Sequence, residues 1–389
     1  MIFPSKLPHV GTTIFTVMND LARQHGAVNL AQGFPDFDPD PRLSERCVAA
    51  LAAGRHQYAP MTGLPELRLA LATAMQEDFG IDYDPDSEVT ITAGATQALH
   101  SALSCLLHPG DECLIFEPAY DSYGPAILMN GAVPVAVTMQ APDFRWDWDA
   151  AAAKITSRTR AIVVNSPHNP TGSCFAEADL IALESLAEKH GLWVISDEVY
   201  AGIVHDSRRH FSCGSREALR ARSFVCMSFG KTFHCTGWKV GACLAPAALS
   251  AEFRKVHQFT TFSVNTPAQA ALADLCALRE ARRHGDFFEQ RRDLLISSLA
   301  GSGLRPLSPC QGSYFQLFDY SALSDENDLD FAIRLTRERG VASIPLSPFS
   351  AAPDPAQRLI RLCFAKKPET LLAAAERLVS APDSKASKT

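Results

Sequence analysis

The sequence lacks the features that would place it in a membrane, on nucleic acid or around a metal. No stretch approaches the roughly 20 consecutive apolar residues of a membrane helix. The first residues, MIFPSKLPHVGTTIFTVMND, lack the charged start, apolar run and small-residue cleavage site of a secretory leader. Positive charge is in deficit: 36 Lys and Arg against 43 Asp and Glu leave a net charge of −7. That excludes the basic surface on which general nucleic-acid binding depends, while leaving room for a basic pocket that takes one small anion. The 11 cysteines are odd in number and scattered singly, with no CxxC pair and no even spacing. They read as small buried hydrophobes of a chain kept in a reducing cytoplasm. No His/Cys/Asp/Glu set has metal-ligand spacing, so no metal is expected. There is no internal repeat, and the one low-complexity segment is the polar tail 381–389, APDSKASKT, expected to be disordered.

What is present describes an ordinary globular chain. With 389 residues, 47% of them apolar, it can bury a sizeable core without disulfide or metal staples. Between Val89 and Pro246 apolar, strand-like runs recur: VTIT (89–92), CLIF (113–116), VPVAV (133–137), AIVV (161–164), LWVIS (192–196), FVCMS (224–228) and GACLA (241–245). Amphipathic stretches separate several of them, as in AEADLIALESLAEKH (176–190). This alternation predicts an α/β fold with a mostly parallel sheet covered by helices on both faces. After Phe287 the pattern changes to helix, then SYFQLF (313–318), VASIPL (341–346), LIRLCF (359–364) and a closing helix over 369–380, which predicts a smaller α+β domain. The segment before about Asp40 is expected to join it. The resulting division is a large domain over 41–284 and a discontinuous small domain from 1–40 and 285–380.

In open parallel sheets ligands bind beyond the carboxyl ends of the strands, so the residues there are the candidates. VTIT is followed by Ala93-Gly94-Ala95-Thr96 at the start of a helical pattern, where small residues leave backbone N–H groups free for a phosphate. CLIF leads to Tyr120, AIVV to the loop NSPHNPTG with Asn169, and LWVIS to Asp197 and Tyr200. FVCMS runs into SFGKTFHCTGWKVG (228–241), in which Lys231 and Lys239 stand among aromatics and glycines with no acid between them. Lysine is seldom buried without a partner, so these cations await a distant carboxylate or a ligand. Gly230-Lys231-Thr232 echoes the end of a P-loop, but the first glycine of that motif would fall at Val225, inside a strand. Taken together the set meets the needs of pyridoxal 5′-phosphate: a lysine for its aldehyde, a carboxylate for its ring nitrogen, an aromatic for its ring face, and N–H groups, a hydroxyl and a cation for its phosphate.

The motifs HNPTG, SDEVY, SFGKTFHCTGWKVG and LIRLCF resemble the series of the class I, fold-type I aminotransferases. VGTTIFTVMNDLA, NLAQGFPDFD, HQYAPMTGLPELR, AGATQAL, KVHQFTTFSVNTPAQ and IPLSPF are similar to its kynurenine-aminotransferase-like subgroup, and within that to bacterial methionine aminotransferases. The likeness runs from about Lys6 to Leu378. It implies a pyridoxal-phosphate enzyme working by ping-pong transamination, with Lys231 as the covalent anchor and proton carrier and Asp197 on the pyridine nitrogen. It implies Asn169 and Tyr200 on the ring oxygen, Tyr120 against the ring, and Ala95, Thr96, Ser228 and Lys239 on the phosphate, with Tyr58 arriving from a second subunit of a homodimer. Arg361, assisted by Gly33, is expected to hold the substrate carboxylate, and Phe15 with Phe262 across the dimer to line the side-chain pocket. The resemblance implies methionine and aromatic or other large amino acids as donors. β-Elimination from cysteine conjugates and kynurenine transamination are the alternatives within the same site. A non-catalytic, ligand-sensing module is the alternative from another class; it is disfavoured because the motifs begin within the first fifteen residues, where a DNA-binding domain would have to stand.

Overall fold

The computed structural model describes residues 4–379; the tail expected to be disordered lies outside them. Seven strands form the central sheet: β1 (Val89–Thr92), β2 (Glu112–Glu117), β3 (Val133–Thr138), β4 (Thr159–Asn165), β5 (Trp193–Asp197), β6 (Ser223–Ser228) and β7 (Gly241–Leu244), in the order β1-β7-β6-β5-β4-β2-β3. All seven apolar runs are therefore strands of one sheet. From β6 across to β3 each pair is parallel, while β7 runs antiparallel to both of its neighbours.

The runs are continuous rather than alternating because both faces are buried. Leu114, Ile162, Val164 and Val194 point into one core, with Leu67, Leu71, Leu180 and Leu183 of the covering helices. Their strand neighbours Cys113, Ile115, Val163 and Ile195 point into another, with Ala98, Leu99, Ala102 and Phe253. The covering helix Glu177–His190 begins where Asp179 accepts the N–H of Ala176 at 2.8 Å and ends at Gly191, whose φ of 65° suits a left-handed cap.

A second, antiparallel sheet contains β8 (Arg305–Pro306), β9 (Phe315–Asp319), β10 (Ile344–Pro345) and β11 (Leu359–Cys363), in the order β10-β11-β9-β8. It packs on the helices Gly285–Ser298 and Pro368–Val379 around Phe288, Leu295, Phe318, Phe331 and Leu371. VASIPL, expected as one strand, is divided. Val341–Ala342 pairs with Val28–Asn29 in parallel, and after Ser343 the chain switches to β11. Pro345 has no N–H to donate, which suits β10 to the edge position it occupies. The N-terminal segment is held here too, since the carbonyl of Leu30 accepts the N–H of Cys363 at 2.8 Å.

Candidate active site

A cavity of about 330 Å³ opens beyond the carboxyl ends of β4, β5 and β6. Phe15, Gly33, Ala95, Thr96, Tyr120, Asn169, Asp197, Tyr200, Ser228, Lys231, Lys239 and Arg361 all line it. Tyr58 and Phe262 do not. They lie on the surface, 82% and 46% exposed, with their rings edge to face at 5.4 Å.

One end of the cavity is a backbone cradle. Gly94, at φ 77°, opens the helix Gly94–Leu106, whose first N–H groups have no partner within the helix. The amine of Lys239 stands 3.2 Å from the point where a Cβ on Gly94 would project. Gly241, just beyond, approaches so closely that a Cβ there would lie 2.7 Å from the Ala95 nitrogen and the Met227 oxygen. Ser228 closes this end, its Oγ accepting the N–H of Lys231 at 3.3 Å.

The middle is polar and rigid. Asp197 is buried, and its Oδ2 accepts the Tyr123 hydroxyl at 2.6 Å. β4 and β5 place Asn165 beside Asp197, and the Asn165 amide donates to the Asp197 carbonyl at 2.8 Å while its oxygen accepts the N–H of Asn169. The Lys231 amine donates to the carbonyl of Gly33 at 3.2 Å, between the rings of Tyr200 and Tyr314 at 5.8 and 5.6 Å. Tyr314 donates to the same carbonyl at 2.7 Å. Lysine is thus presented to the cavity rather than sunk in the core, and Lys239 is exposed.

The far end belongs to Arg361, which is fully buried. One terminal nitrogen donates to Asn169 Oδ1 at 2.6 Å, the other to the carbonyl of Ala31 at 3.1 Å. Its Nε has no partner among the described residues. Phe315 lies 3.8 Å below the guanidinium, with Phe15 and Phe349 each at 5.3 Å.

A profile for aminotransferase class I and II matches residues 26–378. The chain belongs to that family. It is 52% identical to a methionine aminotransferase of Escherichia coli over 97% of this chain and 98% of the relative. Identity to a Mycobacterium tuberculosis protein named probable N-succinyldiaminopimelate aminotransferase is 38%, covering 96% of this chain and 97% of that one. To the mouse kynurenine–oxoglutarate transaminase 1 it is 36%, covering 92% and 93%. A solved E. coli methionine aminotransferase structure superposes with a TM-score of 0.95 at 51% identity, over 98% of this chain and all of the other.

Aminotransferases of this class depend on pyridoxal phosphate, and the residues present fit that group. The cradle supplies N–H groups with no partner inside their helix and a cation for a phosphate, and Asp197 is a buried carboxylate with no cation within salt-bridge distance among the described residues. Arg361 keeps an unsatisfied buried Nε toward a carboxylate. Burial pushes the Asp197 carboxyl up to about 6, against the Tyr123 hydroxyl, the Val199 N–H and the Lys231 charge, which pull it down. Burial pulls the Lys231 ammonium down to about 8, assisted by Arg361 and Lys239. The buried Asp197 carboxyl calls for a protonated nitrogen against it, and Lys231 gives up its proton more readily than an ordinary lysine. This aminotransferase is expected to lose at least about tenfold in pyridoxal-phosphate affinity on Gly241→Ala, since the Cβ must move the Gly94–Ala95 backbone and a 1.4 kcal/mol loss gives that factor. Equilibrium dialysis of the cofactor measures it.

Four side chains at the site were not singled out from the sequence. Asn165 and Tyr123 lock Asp197; Tyr314 holds Gly33; Phe315 carries Arg361. Asn165 is the first residue of NSPHNPTG and sits at a strand end, so the same search had a signal for it. Tyr123 and Tyr314 had none, because a packing tyrosine and a bonded one read alike. Among the described residues no group of three or more His, Cys, Asp or Glu could hold a metal ion, and no helix is long and apolar enough to cross a membrane.

Proposed function

We propose that this aminotransferase takes its amino group from methionine and from aromatic or other large amino acids, and that it works as a homodimer. The observation that carries the donor class is Arg361. It is the only arginine among the described residues lining the cavity, and its surroundings are Phe15, Phe315 and Phe349. One guanidinium serves one carboxylate, and aromatic walls favour an apolar side chain over a second acid. The 52% identity to a methionine aminotransferase supports methionine itself.

Bound pyridoxal phosphate supplies the electron-withdrawing ring that allows an amino acid to give up its Cα proton. Lys231 would anchor the cofactor, and its amine would take that proton and return it. Burial lowers this group from its ordinary 10.5 to about 8, so far more of the amine is unprotonated near neutral pH than in an ordinary lysine. Asp197 keeps a proton on the ring nitrogen, with Tyr123 and Asn165 fixing its orientation. Asn169 and Tyr200 serve the ring oxygen, and Tyr120 covers the ring. Ala95, Thr96, Ser228 and Lys239 hold the phosphate, and Arg361 with Gly33 holds the substrate carboxylate. Phe15 lines the side-chain pocket. Tyr58 and Phe262, exposed with their rings edge to face, form an aromatic patch that a second copy covers, delivering Tyr58 to the phosphate and Phe262 to the side chain in its partner's site. The chain divides into the large domain 41–284 and a small domain from 1–40 and 285–380, with the site between them.

The test is the visible spectrum of the holoenzyme titrated with methionine and no acceptor. Methionine alone is expected to abolish the cofactor's visible band, and a 2-oxo acid to restore it. Conversion by kynurenine but not by methionine overturns the donor assignment, and release of pyruvate from a cysteine conjugate without loss of the band indicates β-elimination instead. In the cofactor-free chain, uptake of pyridoxal phosphate needs the unprotonated Lys231 amine. Its rate is therefore expected to rise with pH and level off just above about 8, because burial has lowered this group from its ordinary 10.5. Stopped-flow uptake between pH 6 and about 10 measures this; a rate still climbing at the top of that range contradicts it.

A further inference from the structure

A larger cavity, about 780 Å³, lies on the other side of the turn that carries Lys231. It is cut between the helix Pro65–Phe79, the loop 201–210, the turn 227–233 and the start of the helix Gly285–Ser298. Its floor is apolar, with Leu71, Met75, Phe79, Phe229, Phe233 and Phe287. Its rim carries Arg208, Arg209 and Arg283, and of its two acids Asp78 is engaged by arginines while Asp286 has no cation within salt-bridge distance among the described residues. That size and that pairing of apolar floor with a few fixed charges are the ordinary make-up of a small-molecule site.

The rim cations are poorly served by the chain's own carboxylates. Asp78 is shared by Arg279, Arg282 and Arg283 at 3.3, 2.8 and 3.2 Å. Asp206 is gripped by Arg292 at 2.8 Å and stands 4.0 Å from Arg208. Arg209 has no carboxylate within salt-bridge distance among the described residues and rests on the ring of Phe211 at 5.5 Å. The loop also presents these two arginines at a conformational cost: Asp206 and Ser207 are consecutive non-glycine residues at φ 57° and 54°, a left-handed pair that side chains disfavour. Such strain is retained where the displayed geometry has a use.

We propose that this groove binds an amphipathic carboxylate, an anionic head on an aryl or alkyl tail, and that its occupant bears on the Lys231 turn. The head meets the planar guanidinium forks of Arg208 and Arg209, and the tail fills the floor of phenylalanines that a bare ion would leave empty. The coupling is built in. Ser228, Phe229, Thr232 and Phe233 form the groove's inner wall, and the same residues 228–233 carry Ser228 and Lys231 into the cofactor cavity. The 2-oxo acids formed from large apolar amino acids belong to this ligand class, so the enzyme's own products are candidates.

4-Phenylbutanoate, which has neither an α-amino nor an α-keto group, is the probe. It is titrated calorimetrically into the holoenzyme and into an Arg208→Ala/Arg209→Ala double variant. Because Arg361 can also take a carboxylate, the wild type is expected to show two sites and the double variant one, with an unchanged half-reaction toward methionine. The cofactor's visible spectrum is followed in the same titrations; the active-site contribution is common to both proteins, so their difference isolates the groove. A single identical site in both proteins, or no binding in either, overturns the proposal. So does a double variant whose dimer dissociates in sedimentation, since the groove would then be covered by a second copy. Loss of one site with identical spectra keeps the binding site and removes the coupling.

Discussion

Lys231→Ala is expected to lower methionine turnover by about 10⁴-fold, the upper range for removing one general base, because the same change also removes the covalent anchor. The fold should survive. The amine makes one hydrogen bond, to the carbonyl of Gly33, and that carbonyl keeps its bond from Tyr314 at 2.7 Å. Removing a cation that burial already disfavours leaves no new unpaired charge. The variant should melt within a few degrees of the parent and still hold pyridoxal phosphate through the Gly94 cradle, Lys239 and Asp197, but release it on denaturation. Single-turnover kinetics, thermal melting and the mass of the denatured chain together separate a lost reaction from a lost fold. A variant retaining more than about a tenth of the parent turnover, a change of under 1.4 kcal/mol in barrier, removes Lys231 from the mechanism.

The sequence shows the site well because the fold imposes a simple grammar on it. Strands buried on both faces are mostly apolar, so the polar residue that closes each one marks the rim: Asn165, Asp197 and Ser228 are all final residues of their strands. What does not show is pairing. An apolar run is the same read in either direction, and nothing in GACLA says that β7 runs antiparallel to β1 and β6. VASIPL is a continuous run of strand-forming residues, and only the two different partners it meets divide it. The tyrosines that fix the site fail for the same reason. Tyr123 reaches Asp197 across 74 positions of sequence and Tyr314 reaches Gly33 across 281, contacts set by strand order rather than by local pattern. Tyr58 and Phe262 stand apart from the cavity, and on the proposed homodimer the site that uses them belongs to a second copy.

Arg361→Met is expected to separate binding from stability. The parent guanidinium is fully buried among the faces of Phe15, Phe315 and Phe349, with only Asn169 Oδ1 and the Ala31 carbonyl as acceptors among the described residues, and burial lowers its pKa to about 10. No carboxylate lies within salt-bridge distance among the described residues, so the folded chain maintains a desolvated cation that only a ligand neutralises. Methionine at this position relieves the fold of a desolvated cation, while giving up the ring contacts and leaving two acceptors without donors at about 1–3 kcal/mol each. These effects oppose, and the melting temperature should move little. Substrate binding has no such compensation. Losing a buried, charge-assisted partner of the carboxylate costs about 2–5 kcal/mol, so kcat/KM for methionine should fall by about 30- to 4,000-fold, mostly through KM if the contact is present in ground and transition states alike. Arg361→Lys should restore little of it. A single amine can point its charge at the substrate, but it cannot span Asn169, Ala31 and both carboxylate oxygens at once. Steady-state kinetics beside thermal melting decides the matter: a KM raised less than about fivefold, under 1 kcal/mol of lost binding, would mean that the substrate carboxylate is held elsewhere.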